Sequence, residues 1–301
     1  MTLATLRQSR SLPRLPQGVR IALLLSPVLL LVLLLFLGGF AFAIAQSLGY
    51  QPYLDSEGLS FEAYRKLYAD PAVRASFGLT FRIALVSTAV SATLAIATGM
   101  LLRSTRRGRR FATLLFQLNL PIPHVVGATA MLLLLGQSGL VSRLSFGAGL
   151  TDDTAGFPAL TADAVGWGII AEYVWKETPF IGVVVLAVLA SGVVDLESVA
   201  RTLGASPWQR FRWVTLPTLT PAVLSTSVIV FAFSFGSYEV PFLLGQSFPS
   251  ALPVEAFRLY RDTDLAARST AMAICVVIAA IIAVMVLAYM RLSERYLPGA
   301  R

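Results

Sequence analysis

The sequence predicts an all-α integral membrane protein with six transmembrane helices, and both composition and hydropathy pattern indicate this class. Of the 301 residues, 56% are hydrophobic and 13% are charged, whereas soluble domains average about 25% charged residues. Six apolar stretches recur along the chain, and each has the roughly 20 residues that a helix needs to cross a bilayer core. We therefore expect a bundle of six membrane-spanning helices.

The predicted spans are joined by polar segments. Residues 1–20 form a basic arm, and 21–45 form the first span, which is longer than the apolar core of a cleaved signal peptide. A polar loop over 46–76, in which FEAYRKLY predicts a surface helix, leads to a five-helix core over 77–291. The core spans are predicted at 77–102, 111–135, 166–191, 222–244 and 269–289, and a tail follows over 292–301.

Positive charge predicts the orientation of the chain, because cytoplasmic loops of membrane proteins are enriched in Lys and Arg. With six spans, both termini lie on the same side of the membrane. The arm, the loops at 103–110 and 197–217 and the residues after the last span, 290–301, hold 15 of the 24 Lys and Arg residues, whereas the three opposite loops hold seven. We therefore expect both termini to be cytoplasmic and the 46–76 loop to be periplasmic.

Helix breakers interrupt two of the predicted spans. Pro121 and Pro123 break the third span, because each proline removes a helix hydrogen bond. Gly236 and Pro241 are expected to disrupt the fifth span beside Glu239. Unwound backbone next to a carboxylate is how membrane carriers build polar sites, although the same acid could cap a short outer helix or face a partner protein outside the membrane.

Polar and ionisable side chains within the spans are candidates for a translocation path, because an intramembrane charge is costly. Glu172 and Lys176 are four residues apart, so on a helix they would share a face and could pair. The alternatives are a structural ion pair or a contact with a partner chain, and for His124 a hydrogen-bonded packing role. The candidate path residues are Asn119, His124, Glu172, Glu177, Ser234, Ser237, Tyr238 and Glu239.

Few side chains in the sequence suit catalysis or metal binding. Neither of the two lysines, Lys66 and Lys176, follows a glycine, so a GxxxxGK[ST] phosphate-binding loop is absent. The single histidine, His124, excludes an HExxH metal site, and GQSG at 136–139 lacks the later histidine that a serine protease base requires. We expect no catalytic residue, no metal site and no nucleic-acid binding, since topology and lipid contact explain the basic loop at 103–110.

The polar segment at 197–221 predicts a short helix directly after the fourth span. Glu197 is placed in its first turn, where a carboxylate suits the positive end of the helix dipole. Gly204 is placed just beyond its end, because glycine readily adopts the positive φ of a helix C-terminal cap.

A second short helix is predicted in the same segment. Ser206 is a suitable N-cap, and Pro207 would then occupy the first helical position. Pro217 and Pro221 are expected to end this helix where the chain re-enters the membrane.

This segment resembles the EAA loop of permease subunits of binding-protein-dependent ABC importers. The family pattern is Glu-Ala-Ala, three residues, Gly, about nine residues, an aliphatic residue, one residue and then Leu-Pro. The matching positions are Glu197, Ser198, Val199 or Ala200, Gly204, Val214, Leu216 and Pro217. The departure at Ser198 and Val199 is mild, because the order Glu, small residue, Gly, aromatic and Leu-Pro is kept.

The resemblance implies a type I ABC importer permease-like fold in the bacterial inner membrane, with 192–221 as the cytoplasmic coupling loop. The implied partners are an ABC ATPase dimer, a second and different permease chain, an extracytoplasmic solute-binding protein and membrane lipid. ATP and Mg²⁺ would be held by the ATPase, so this chain would need no cofactor. The residues expected to couple to the ATPase are Glu197, Ala200, Gly204, Ala205, Ser206, Trp208, Arg210, Phe211, Leu216 and Pro217.

The segments FGSYEVPFLLG and LPVEAFRLY resemble those of spermidine/putrescine-type permeases. The resemblance therefore implies polyamine import by alternating access, and the intramembrane acids would suit a polycation. Ferric iron, thiamine, a phosphate- or sulfate-type anion and a sugar are the alternative solutes. An ATP-independent secondary transporter is the competing class of protein.

Overall fold

The computed structural model describes residues 16–52, 58–105, 107–153 and 156–296, and at 294–296 the backbone alone. All regular secondary structure in this part of the chain is helical and no β-strand is present, which confirms the predicted fold class. The helices are α1 (Gln17–Ser47), α2 (Glu62–Ala69), α3 (Pro71–Ser104), α4 (Arg109–Gln117), α5 (His124–Leu135), α6 (Leu140–Gly147), α7 (Trp167–Ala190), α8 (Val193–Thr202), α9 (Pro207–Arg210), a π-helical turn (Phe211–Thr215), α10 (Leu216–Gly236), α11 (Glu239–Leu244), α12 (Leu252–Tyr260) and α13 (Ala267–Tyr296).

Six of the described helical segments are long and apolar enough to cross a membrane. They are α1, α3, α5 together with α6, α7, the run from α9 to α10, and α13. The surface helix expected from FEAYRKLY is present as α2. Most of the predicted basic arm and tail, and Arg106 of the basic loop, lie outside the described residues.

The fourth span, α7, lies at the centre of the bundle and packs against α3, α5 and α10. Small residues bring its neighbours close, as is common for helices packed within a membrane. A Cβ atom on Gly99 of α3 would lie 2.6 Å from Val185 Cγ1, and one on Gly182 would lie 2.5 Å from a ring carbon of Phe116. The fixed spacing of these helices therefore depends on the absence of side chains at these two positions.

The third span is interrupted where the sequence predicts, between α4 and α5. Six residues, 118–123, separate the two helices. Pro121 and Pro123 have no N–H to donate to the carbonyls four residues back, those of Gln117 and Asn119. These carbonyls accept instead from the N–H groups of Leu120 and Ile122, three residues on, both at 3.1 Å. The apolar segment on the far side of the break continues from α5 into α6.

The predicted end of the second coupling-loop helix at Pro217 and Pro221 is wrong. The chain stays helical from Pro207 to Gly236, because the π-helical turn at 211–215 precedes Pro217. In this turn the N–H of Leu216 donates to the carbonyl of Phe211, five residues back. The wider turn and the position of Pro217 at the start of α10 accommodate a residue that cannot donate.

The fifth span ends at Gly236 and not near residue 244, so its predicted end is wrong, although the disruption expected at Gly236 is present. Ser237 has an extended backbone, and α11 begins at Glu239. Pro241 lies within α11 rather than at a break. The end of the bundle opposite the coupling loop is therefore closed by two short helices, α11 and α12, before α13 returns through the membrane.

Candidate functional site

The first helix of the coupling loop, α8, ends in the cap that the sequence predicts at Gly204. The N–H of Gly204 donates to Arg201 O and that of Ala205 donates to Ala200 O, both at 3.0 Å. This pair of bonds is a Schellman motif, which requires a left-handed residue. Gly204 has φ +85°, so its conformation is strained for any residue that carries a Cβ.

The second helix of the loop begins with a capping box. Ser206 Oγ accepts from the N–H of Gln209 at 3.3 Å, and Gln209 Oε1 accepts from the N–H of Ser206 at 2.7 Å. Pro207 occupies the first turn. These reciprocal bonds fix the angle between α8 and α9 from residues adjacent in sequence.

Glu197 lies one turn further into α8 than predicted. Because Gly192, at φ +94°, ends the preceding segment, α8 begins at Val193, and Asp195 is the acid in its first turn. Glu197 instead faces the end of α3, where Arg103 donates from Nη1 to Oε1 at 3.0 Å and from Nη2 to Oε2 at 2.6 Å. Thr215 Oγ1 also donates to Glu197.

The contacts of Glu197 join three elements: α3, α8 and the π-helical turn that leads into α10. Its side chain is 15% exposed and that of Arg103 is 20% exposed, so solvent screens this pair less than a surface pair. The hydrogen bonds from Arg103 lower the pKa of the Glu197 carboxyl, and the bond from Thr215 and the charge of Arg210 act in the same direction. Glu197 is therefore held as a carboxylate that connects the loop to two spans.

The coupling loop carries large apolar side chains that are mostly exposed. Leu203 is 82% exposed, Trp208 is 68% exposed and Trp213 is 72% exposed. Trp208 stacks on Phe211 with ring centroids 5.6 Å apart. Of the predicted coupling residues, Gly204, Ser206, Trp208 and Pro217 are exposed, whereas Ala200, Ala205, Arg210, Phe211 and Leu216 are half-buried.

A cluster of ionisable groups lies beside the break in the third span. The ring of His124 is placed between two carboxylates of α7, with Nδ1 3.2 Å from Glu172 Oε1 and Nε2 3.6 Å from Glu177 Oε1. Glu172 is fully buried, and Glu177 is 6% exposed. A Cβ on Gly127 would lie 2.9 Å from Glu172 Oε1, so glycine is needed for this approach of α5 to α7.

The predicted pairing of Glu172 with Lys176 is wrong. Lys176 Nζ donates to three backbone carbonyls of the broken span, those of Asn119 at 2.7 Å, Leu120 at 3.3 Å and Ile122 at 2.6 Å. Carbonyls beside a proline break lack their α-helical donors. The ammonium supplies a donor to the carbonyls of Leu120 and Ile122 and a second donor to that of Asn119, which also accepts from the N–H of Ile122. Lys176 therefore links the break to α7, and the Glu172 carboxylate contacts His124 instead.

A second bond between the same elements runs from Asn119 Nδ2 to the carbonyl of Trp175, at 2.5 Å. Next to these contacts is a cavity of about 210 Å³ between the break, α7 and α10. It is lined by Leu120, His124, Lys176, Glu177, Phe180, Ile229, Val230 and Phe233. We call this the membrane cavity.

The structure thus brings Asn119, His124, Glu172 and Glu177 together beside the break, whereas the other candidate path residues do not line the membrane cavity. Ser234 and Ser237 are buried, and Tyr238 packs on Phe257 with ring centroids 4.9 Å apart. Glu239 does not lie inside a span as expected, because α10 ends before it and its residue is exposed in the first turn of α11.

Sequence reasoning missed the partners of Glu197, namely Arg103 and Thr215. Arg103 lies in the predicted basic loop at 103–110, and membrane topology and lipid contact are enough to explain the charge of that loop. No local pattern in the sequence indicates a pair of residues 94 positions apart. In the described part of the chain, no group of three or more His, Cys, Asp and Glu side chains is arranged to hold a metal ion.

Comparison with protein families identifies one match that covers most of the chain. The profile of the family described as "Binding-protein-dependent transport system inner membrane component" matches residues 91–297.

Similar proteins include the molybdenum transport system permease protein ModB of Mycobacterium tuberculosis, 31% identical over 221 residues that cover 72% of this chain and 79% of ModB. The inner membrane ABC transporter permease protein YnjC of Escherichia coli is 28% identical over 70% of this chain and 40% of its own length. The probable sulfate transport system permease protein cysT of Marchantia polymorpha is 24% identical over 60% of this chain and 59% of its own length.

Two solved structures share the fold. A chain of a bacterial ABC transporter involved in the import of the acidic polysaccharide alginate superposes with a TM-score of 0.77 at 21% identity, covering 93% of this chain and 96% of that one. A chain of the MetNI methionine ABC transporter, in an inward-facing conformation, superposes with a TM-score of 0.54 at 18% identity, covering 73% and 94% respectively.

Proposed function

The chain belongs to the family of binding-protein-dependent transport system inner membrane components and is therefore a permease subunit of an ABC importer, and we propose that its solute is a small oxyanion. The relatives named for molybdenum and sulfate transport carry this proposal, above all the one that is 31% identical over most of both chains. Alternating access would move the anion from an extracytoplasmic binding protein to the cytoplasm.

Polyamine import is the second candidate, and one observation favours it. The membrane cavity has the Glu177 carboxylate in its lining, with Glu172 behind His124. A carboxylate at this depth would attract an ammonium group and repel an anion. His124 and Lys176 line the same cavity, so its charge does not decide between the two solutes.

Coupling to ATP hydrolysis would run through the loop at 192–221. The exposed apolar residues Leu203 and Trp208 offer a surface for the partner ATPase dimer, because large exposed apolar patches mark interaction sites. Glu197 would then relay a displacement of α8 to α3 and α10 through Arg103 and Thr215. This chain would hydrolyse no ATP and hold neither ATP nor Mg²⁺, which would remain with the ATPase.

The solute path would run past the membrane cavity, which lies between the break in the third span, α7 and α10. Such broken helices next to buried polar groups form binding sites in other membrane carriers. The excess of arginine on the side of the coupling loop supports a cytoplasmic location for that loop and for both termini. A second, different permease chain would complete the path.

The test is uptake into membrane vesicles that contain the assembled transporter, supplied with its binding protein and internal ATP. We expect ATP-dependent uptake of labelled molybdate or sulfate and none of spermidine. Uptake of spermidine alone would replace the proposal with the polyamine candidate, and solute movement without the ATPase would favour a secondary transporter.

A further inference from the structure

A recess of about 480 Å³ lies between α11 and α12 at the end of the bundle opposite the coupling loop. The position follows from the chain path, because α10 runs from the coupling loop to Gly236 and α11 and α12 come next. Its polar lining consists of Gln246, Ser247, Ser250, Arg258 and Arg261. We call it the outer recess.

The guanidinium group of Arg258, in the lining of the outer recess, is held in a fixed orientation by the buried carboxylate of Glu255. Arg258 Nε donates to Glu255 Oε2 at 3.0 Å, and Arg258 Nη2 donates to Glu255 Oε1. The Glu255 side chain is 4% exposed, whereas that of Arg258 is 62% exposed, and Ser250 Oγ donates to Glu255 at 3.1 Å. A guanidinium has five N–H donors, so the open edge of Arg258 keeps donors that face outward.

The second arginine carries a charge that no ion pair neutralises within the described residues. Arg261 is exposed and stacks over the ring of Phe257 at 5.8 Å. The nearest acids in sequence make no ion pair with Arg261: Asp262 Oδ1 accepts from the N–H of Asp264, and Asp264 Oδ1 accepts from the N–H of Ala266, both at 2.9 Å. The negative charge of Asp262 acts on Arg258. No carboxylate lines the recess.

We propose that the outer recess binds the oxyanion on its way from the binding protein to the membrane cavity, an inference that rests on the proposed oxyanion solute. Two guanidinium groups match the planar, multidentate geometry in which tetrahedral oxyanions are bound. The hydroxyl of Ser247 and the amide of Gln246 add donors at the same opening. The site would select against polyamines, because Arg261 presents to the entering solute a positive charge that no ion pair within the described residues neutralises.

The test compares Arg261→Gln with Arg261→Lys and with a control, Arg65→Gln, in vesicles that contain the complete transporter. Arg65 is an exposed arginine of α2, in the loop predicted to lie on the same side of the membrane, and it is absent from the recess. Each variant is measured for the maximal rate of molybdate or sulfate uptake and for the affinity of the loaded binding protein.

We expect Arg261→Gln to lower maximal uptake about tenfold, as for the loss of one charge-assisted hydrogen bond, with the affinity of the binding protein unchanged. Arg261→Lys should retain part of the rate, and Arg65→Gln should retain all of it. Normal uptake by Arg261→Gln would overturn the inference alone. An equal loss of binding-protein affinity would make the recess a docking contact, and absence of oxyanion uptake by the unmodified transporter would overturn the proposed function as well.

Discussion

Glu197 of α8 and Arg103 at the end of α3 form a two-point ion pair between residues 94 positions apart, with donor–acceptor distances of 3.0 and 2.6 Å. Thr215 adds a third element to the same carboxylate. A motion imposed on α8 would therefore reach the second and fifth spans through one side chain. Within the coupling loop, the Glu197 carboxylate faces the spans, whereas the large apolar side chains are exposed.

Reversal of the charge at Glu197 should uncouple transport. Glu197→Lys places an ammonium against Arg103 and removes bonds to a charged group, which are worth about 1.5–3 kcal/mol each. We expect uptake per ATP hydrolysed to fall about tenfold or more, with the chain still inserted. Vesicle uptake measured together with ATPase rate gives this ratio.

The double variant Arg103→Glu, Glu197→Arg is the control for that prediction. It restores opposite charges across α3 and α8, so it should recover part of the coupling lost in Glu197→Lys. If Glu197→Lys transports normally, or if the double variant is no better than Arg103→Glu alone, the ion pair has no role in coupling.

The same pair predicts how stability depends on pH. The pKa of Glu197 is lower in the folded protein than its ordinary value near 4.5, chiefly because of Arg103. Such a group contributes stability that is complete above the ordinary value and is lost as the pH falls through the lowered value. Thermal unfolding of the transporter in detergent at a series of pH values below 5 should therefore show a smaller acid-induced decrease for Glu197→Gln than for the unmodified chain.

Gly204 offers a prediction that depends on backbone conformation alone. No atom lies within 4 Å of a Cβ placed there, but φ is +85°, and a left-handed conformation costs about 1–2 kcal/mol for a residue with a side chain. Gly204→Val should disturb the junction of α8 and α9 and reduce coupled uptake. Gly204→Asn should be milder, because asparagine tolerates this region better.

The matched control is Gly78→Val. Gly78 also has no atom within 4 Å of a Cβ, but its φ is not positive. Equal losses of uptake in Gly78→Val and Gly204→Val would show that the left-handed cap is not responsible.

The outward face of the coupling loop can be tested by crosslinking. Ala205 lies between the cap of α8 and the capping box of α9, so a cysteine there should react with a subunit that docks on the loop. The experiment uses Ala205→Cys in a Cys275→Ala background, since Cys275 is the single natural cysteine and is exposed. We expect a crosslink to the ATPase subunit, and none from a cysteine at Gly58, which lies in the loop predicted to be periplasmic.

Features fixed by neighbouring residues could be predicted from the sequence. The break at Pro121 and Pro123, the cap at Gly204 and the N-cap at Ser206 all depend on chemistry within a few positions, and all are present. The same reasoning failed at Pro217, because a π-helical turn accommodates the proline. That turn depends on how the chain enters the bundle, which local pattern does not reveal.

Side-chain partners across helices were beyond local reasoning. Helical spacing placed Glu172 and Lys176 on one face and suggested a pair, but the freed carbonyls at 119–122 compete for the ammonium. Whether a buried lysine donates to a carboxylate or to a backbone carbonyl depends on which segment of the chain packs against it. The sequence indicates that Glu172 and Lys176 are unusual as charged residues within a span, but it does not indicate which groups they contact.

Lys176→Met should destabilise the chain more than any surface substitution. The change leaves the carbonyls of Leu120 and Ile122 without this donor, removes one of the two donors to the Asn119 carbonyl, and leaves two buried carboxylates with His124 alone. Removal of one partner from a buried charged cluster costs about 3–5 kcal/mol, so the thermal midpoint in detergent should fall clearly. Lys66→Met is the control, because the Lys66–Glu62 pair is more than half exposed and its loss should leave the midpoint unchanged. A midpoint for Lys176→Met equal to that of the control would mean that the break in the third span is held by other contacts, such as the bond from Asn119 to Trp175.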